Sequence, residues 1–175
     1  MRLDLQLDEK MKEDALGNET RKSFGHLGTH IDLKGKTFED QELKAIIVRL
    51  KDGEELTDAD LSAVEEGVFV IFASGHSMEY RYGSEEYRHG YATLGQELIE
   101  RLIAKKVSLI GTDAPGIRQG PEHPLMDSYL AGRGIFVIEN MQIPEELEEG
   151  TVYRVSVKAR GKADDGMPVE IILDE

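Results

Sequence analysis

Two imidazoles and a carboxylate fall within seven residues, in the run His26-Leu27-Gly28-Thr29-His30-Ile31-Asp32. Neutral imidazole and carboxylate are good ligands for zinc, manganese or iron. The backbone decides whether they can converge. A helix would stack His26 and His30 on one face at i, i+4, but Gly25, Gly28, Thr29 and Ile31 all disfavour a helix here. A strand points positions 26, 28, 30 and 32 the same way. It also sets 26 and 30 about 13 Å apart, at ~3.3 Å per residue. Gly28 between them can bend the strand and close that gap. A pair of surface histidines at a turn has the same spacing, so spacing alone leaves both readings open.

The elements that would position these groups follow from periodicity and turn signals. Residues 2–7 alternate and read as a strand; residues 8–22 are polar, a helix or a loop. Residues 45–50 read as a strand, and Asp52-Gly53 as a turn. Thr57 is placed as the N-cap of a short helix that Gly67 ends. The apolar run Val68 to Phe72 fits a buried strand. Thr93 and Gln96 have capping-box spacing and would open a helix carrying Leu94, Leu98, Leu102, Ile99 and Ile103. Residues 107–111 and 135–138 read as strands on either side of a helix over 124–133. Strand-helix-strand order over 68–111 and 107–138 predicts parallel pairs. Residues 152–158 and 169–173 read as an antiparallel pair. The sum is one mixed α/β domain over residues 1–175.

With 175 residues the chain can bury a core without disulfides, and it has no cysteine to form one. That fits a reducing cytoplasm. No signal peptide and no run of the roughly 18 apolar residues a membrane helix needs is read. The net charge of −14 disfavours nucleic acid and anionic membrane surfaces as partners.

The pattern His-x-Gly-Thr-His-x-Asp at 26–32 resembles the cyclase family of metal-dependent hydrolases, which includes bacterial kynurenine formamidases and isatin hydrolases. Gly111-Thr112-Asp113 after an apolar strand is similar to that family's second signature. Ile135-Phe136-Val137-Ile138-Glu139-Asn140 is similar to its third. The resemblance implies a swivelling β/β/α-type fold with a mixed sheet or barrel-like core, in a homo-oligomer, a dimer or a tetramer. It implies one or two divalent ions, Zn or Mn, held by His26, His30, Asp32 and Glu139, with Asp32 and Glu139 able to bridge. It further implies hydrolysis of a small amide, lactam or related acyl compound.

Two positions depart from the pattern. The family continues its first motif as Asp-x-Pro-x-His, whose histidine is the acid–base group. Here the run is Asp32-Leu33-Lys34-Gly35-Lys36, so Lys36 takes that place. The family's remaining ligand histidine falls at Asp127 here, with His123 one helical turn earlier as the alternative. Lysine is normally protonated and makes a poor base. Formamidase activity is therefore expected to be weak or absent, and a repurposed, metal-retaining ligand binder is the second reading. The loop with Met78, Tyr80, Tyr82 and Tyr87 lies where the family contacts substrate. Its aromatics suit an apolar ring, and packing explains them equally well. His76 and His89 have no ligand spacing, and Glu145 to Glu149 reads as a solvated face.

Overall fold

The structure, a computed structural model, describes residues 1–16, 25–161 and 165–174, so part of the polar stretch over 8–22 lies outside the described residues. Helix α1 (Glu9–Leu16) precedes strands β1 (His30–Asp32), β2 (Gln41–Arg49), β3 (Glu55–Leu56) and β4 (Phe69–Ala73). Short helices α2 (His76–Glu79) and α3 (Glu85–Arg88) lead to β5 (Thr93–Leu94), α4 (Gln96–Ala104) and β6 (Leu109–Thr112). The chain ends with α5 (Glu122–Ala131), β7 (Phe136–Glu139), β8 (Val152–Ala159) and β9 (Gly166–Asp174).

Seven strands close into a barrel in the order β1-β7-β6-β4-β2-β8-β9, and β9 pairs back onto β1. The β2–β4, β4–β6 and β6–β7 pairs are parallel, and β8–β9 is antiparallel. Strands β3 and β5 form a separate parallel pair. The fold is thus mixed α/β with a barrel core. No helix among the described residues is long and apolar enough to cross a membrane.

Alternation along each strand divides the apolar residues between two cores. Ile31, Ala45, Ile47, Phe69, Ile71 and Ile138 fill the barrel. Ile46, Val48, Val70, Phe72 and Val137 face outward, against Leu98, Ile99 and Leu102 of α4 and Leu130 of α5. Burial on both faces explains why these strands read as continuous apolar runs. Gly111 lines the crowded interior. A Cβ there would stand 2.6 Å from the Met141 sulfur and 2.8 Å from the Phe69 ring.

Three expectations need correction. The opening segment makes isolated bridges, Arg2 to Ile172 and Asp4 to Met141, rather than a full strand. No helix forms over 57–67. Asp60 Oδ1 instead accepts from Ser62 N at 2.8 Å, and turns drop Leu61 and Val64 into the outer core. A side-chain acceptor near its own backbone competes with helix formation in this way. Thr93 caps nothing, because it pairs with Glu55 in the β3–β5 ladder. Gly95 takes the N-cap of α4, packed so closely that a Cβ would lie 3.2 Å from Thr57 Cα.

Candidate metal centre

The bend that the His26–His30 spacing requires sits at Gly28, whose φ is 68°. It brings the two rings to a centroid distance of 4.9 Å, with His26 Nδ1 3.1 Å from His30 Nε2. Both backbone groups of Gly28 are used. Its N–H donates to the Tyr82 hydroxyl (2.8 Å), and its carbonyl accepts from Asn140 Nδ2 (3.0 Å) and from His30 Nδ1 (2.9 Å). The last bond holds a proton on Nδ1, so a neutral His30 would turn its Nε2 lone pair towards the carboxylates, the usual arrangement of a ligating histidine.

Strand β1 then presents His30 and Asp32 on the face opposite Ile31, which is inside the barrel. His30 is paired in register with Glu139 of β7, and its Nε2 lies 3.5 Å from Glu139 Oε2. Asp32 Oδ1 lies 2.9 Å from His26 Nδ1 and 3.4 Å from His30 Nε2. Helix α5 supplies the remaining groups from one face. His123 Nε2 stands 2.6 Å from Glu139 Oε1 and 3.2 Å from Asp127 Oδ2. The helix therefore delivers both residues that the sequence posed as alternatives. The His123 ring lies over Gly116, where a Cβ would stand 2.8 Å from Cε1.

Two overlapping donor sets result, His26/His30/Asp32 and Asp32/His123/Asp127/Glu139, which share Asp32. Asp32 Oδ1 and both Asp127 oxygens are buried and accept no well-formed hydrogen bond; the nearest groups to Asp32 Oδ1 and Asp127 Oδ2 are imidazole nitrogens at 2.9 and 3.2 Å. An unpaired buried acceptor costs about 1–3 kcal/mol, and more when charged, unless a cation takes its lone pair. Three imidazoles and three carboxylates with such orphaned oxygens fit a divalent cation.

Electrostatics point the same way. Burial opposes ionisation of Asp32, but His26, His30 and Lys34 outweigh it and hold the carboxyl far below its usual range. Burial also opposes the His123 imidazolium, yet Asp127 and Glu139 beside it push it up to about 11. Burial pushes Asp127 up to about 6, with the nearby His123 opposing and the Glu139 charge adding. The carboxylates thus hold protons on the imidazoles facing them, a place that a cation would take instead.

The donor sets lie on the wall of a cavity of about 770 Å³, which Tyr82, Tyr87, Tyr91 and His89 also line. The Tyr87 hydroxyl donates to Asn140 Oδ1 (2.9 Å), and the His76 ring lies 2.8 Å from the Tyr87 carbonyl. Asp113 of the second signature accepts from Ser74 N, Ser74 Oγ and Gly75 N at 2.7–3.1 Å. It anchors the start of the tyrosine loop and does not join the donor sets.

The other sequence candidates lie elsewhere. Met78 is 54% exposed and Tyr80 packs on His76, and neither lines the cavity. Lys36 is exposed in a turn, its N–H bonded to the Leu33 carbonyl. Lys34, which sequence reasoning passed over, enters instead, with Nζ 2.9 Å from Asp32 Oδ2. Strand β1 ends at Asp32, and a left-handed turn at Lys34 folds its side chain back, which no sequence period signals. Asp165, 3.3 Å from His26 Nε2, was also missed. It lies in the connection before β9 and has no local signature.

The family model described as "Putative cyclase" matches residues 5–119. No curated protein sequence matches the chain. Among solved structures, a predicted metal-dependent hydrolase from Bacillus stearothermophilus is similar, with TM-score 0.65 and 23% identity over 85% of this chain and 77% of that one. Isatin hydrolase A from Ralstonia solanacearum aligns with TM-score 0.67 and 16% identity, over 85% of this chain and 72% of that one. A structure described as a novel cyclase aligns over 100% of this chain and 88% of its own, with TM-score 0.69 and 12% identity. At these identities the likeness is one of fold.

Proposed function

The chain belongs to the cyclase family, and on that premise we propose that it is a metal-dependent hydrolase of a small amide, lactam or related acyl compound. The observation that carries this reading is the convergence of the two donor sets on one cavity wall. His26, His30, Asp32, His123, Asp127 and Glu139 are the proposed ligands. Their mixed nitrogen and oxygen donors suit Zn or Mn. A bound divalent cation polarises a scissile carbonyl and lowers the pKa of water towards about 7.

The chain's own residues do the rest. His30 is oriented by Gly28, and Asp165 faces the outer nitrogen of His26. Such outer partners fix ring orientation and raise ligand basicity. Tyr82, Tyr87 and Tyr91 give the cavity an aromatic wall, and its volume is in the range of small-molecule sites. Of the histidines lining it, His89 stands outside both donor sets. Histidine is the side chain most often used for general acid–base catalysis.

A second reading, a metal-retaining ligand binder with little turnover, is favoured by the outward position of Lys36, which leaves the motif's acid–base position without a group in the site. The test is an assay of N-formylkynurenine, isatin and simple lactams, with metal-loaded and chelator-treated protein. Metal-dependent turnover of any of them supports the hydrolase. Saturable binding of all three without turnover supports the second reading.

A further inference from the structure

We propose that the Lys34 ammonium occupies the place a second cation would need on Asp32, so that the centre holds one divalent ion and not two. This rests on the metal-dependent reading of the site.

The two donor sets share a single residue, Asp32. A carboxylate that joins two ions ordinarily gives one oxygen to each. Asp32 does not have both to give. Its Oδ1 faces His26 and His30, while its Oδ2 is taken by Lys34 Nζ at 2.9 Å. The lysine is held at both ends. Its side chain is only 17% exposed, and its ammonium also reaches Asp165 Oδ2 at 3.4 Å. Its backbone N–H donates to Asp165 Oδ1 at 3.2 Å, and the preceding Leu33 N–H donates to the Asp165 carbonyl at 2.7 Å. Its φ of 48° lies in the left-handed region, which proline cannot enter. The chain therefore turns here in a way that a proline at this position would forbid, and the turn brings the ammonium back to Asp32.

Charge agrees with geometry. The Lys34 ammonium already supplies one positive charge to Asp32 and Asp165. A second divalent cation on Asp32 Oδ2 would sit against that half-buried ammonium, and like charges at such short range repel strongly away from bulk water.

The experiment is metal stoichiometry by elemental analysis on the full chain, equilibrated with excess Zn²⁺ or Mn²⁺ and then freed of unbound metal. One ion per chain is expected for the native protein, and two for Lys34→Met, which keeps the stem and removes the charge. Lys34→Arg should hold one. A native chain with two ions, or a folded Lys34→Met chain with one, overturns the inference. A native chain with none overturns the metal-dependent reading itself, and this inference with it. Should Lys34→Met fail to fold, the Mn²⁺-loaded native protein still decides. An EPR spectrum of isolated ions is expected, and an exchange-coupled pair refutes the proposal.

Discussion

His30 and Glu139 face each other as partners across the antiparallel β1–β7 ladder, with His30 Nε2 3.5 Å from Glu139 Oε2. Register, and not side-chain flexibility, brings them together. Glu139→Gln keeps the shape and weakens the donor. It should lower metal affinity by more than the 10–100-fold typical of outer partners, with little change in fold. Titration calorimetry checks this, and native-like affinity in the variant would refute the role.

His123 should make metal binding release protons. Without metal its pKa stands at about 11 against an ordinary 6.5, so it is protonated at pH 8. A ligating imidazole must be neutral. Calorimetry at pH 8 in buffers of different ionisation enthalpy should show fewer protons released by His123→Gln than by native protein. Equal release would remove His123 from the ligand set. The sign for stability follows from the same shift. The folded pKa is raised, so the contribution is complete below about pH 6.5 and is lost as pH rises towards 11. The gap in urea midpoint between metal-free native and His123→Gln protein should therefore be larger at pH 6 than at pH 10.

If His89 moves the proton, His89→Gln should lower kcat by roughly 10²–10⁴-fold while leaving metal content unchanged. Lys36→Met should leave kcat unchanged, because Lys36, unlike His89, does not line the cavity. A collapse of activity in Lys36→Met with full activity in His89→Gln would reverse the assignment.

Gly28→Ala tests the bend. A residue with a Cβ pays about 1–2 kcal/mol in the left-handed region, and here that Cβ would press on Leu7 Cδ1 at 3.3 Å. Lower thermal stability and weaker metal binding are both expected. Lower stability with unchanged affinity would show that the bend does not position the histidines.

The parallel barrel strands are legible because they are short, unbroken apolar runs bounded by turn signals. Residues 69–72 and 136–138 could hardly read otherwise. The ligand run was legible because its chemistry is local. What the sequence hid is non-local. Thr57 and Thr93 carry helix-start signals, but the β3–β5 pair and the close packing of Gly95 on Thr57 override them. Asp165 gains a role only because β9 returns to pair with β1 and lays Gly166 opposite Asp32. Lys36 holds the motif's acid–base place, but the left-handed turn at Lys34 sends the Lys34 side chain inward instead.

Strand β1 is three residues long, yet it closes the barrel between β7 and β9, and two of the proposed ligands ride on it. Should it peel away, β7 and the nine-residue β9 would each gain a free edge, with unpaired backbone groups ready to accept a strand from another molecule. An ion gripping His30 and Asp32 on β1 together with Glu139 on β7 would act as a rivet across that seam. Without that rivet the seam would rest on the backbone pairs of a three-residue strand, and each opening would offer a template for aggregation.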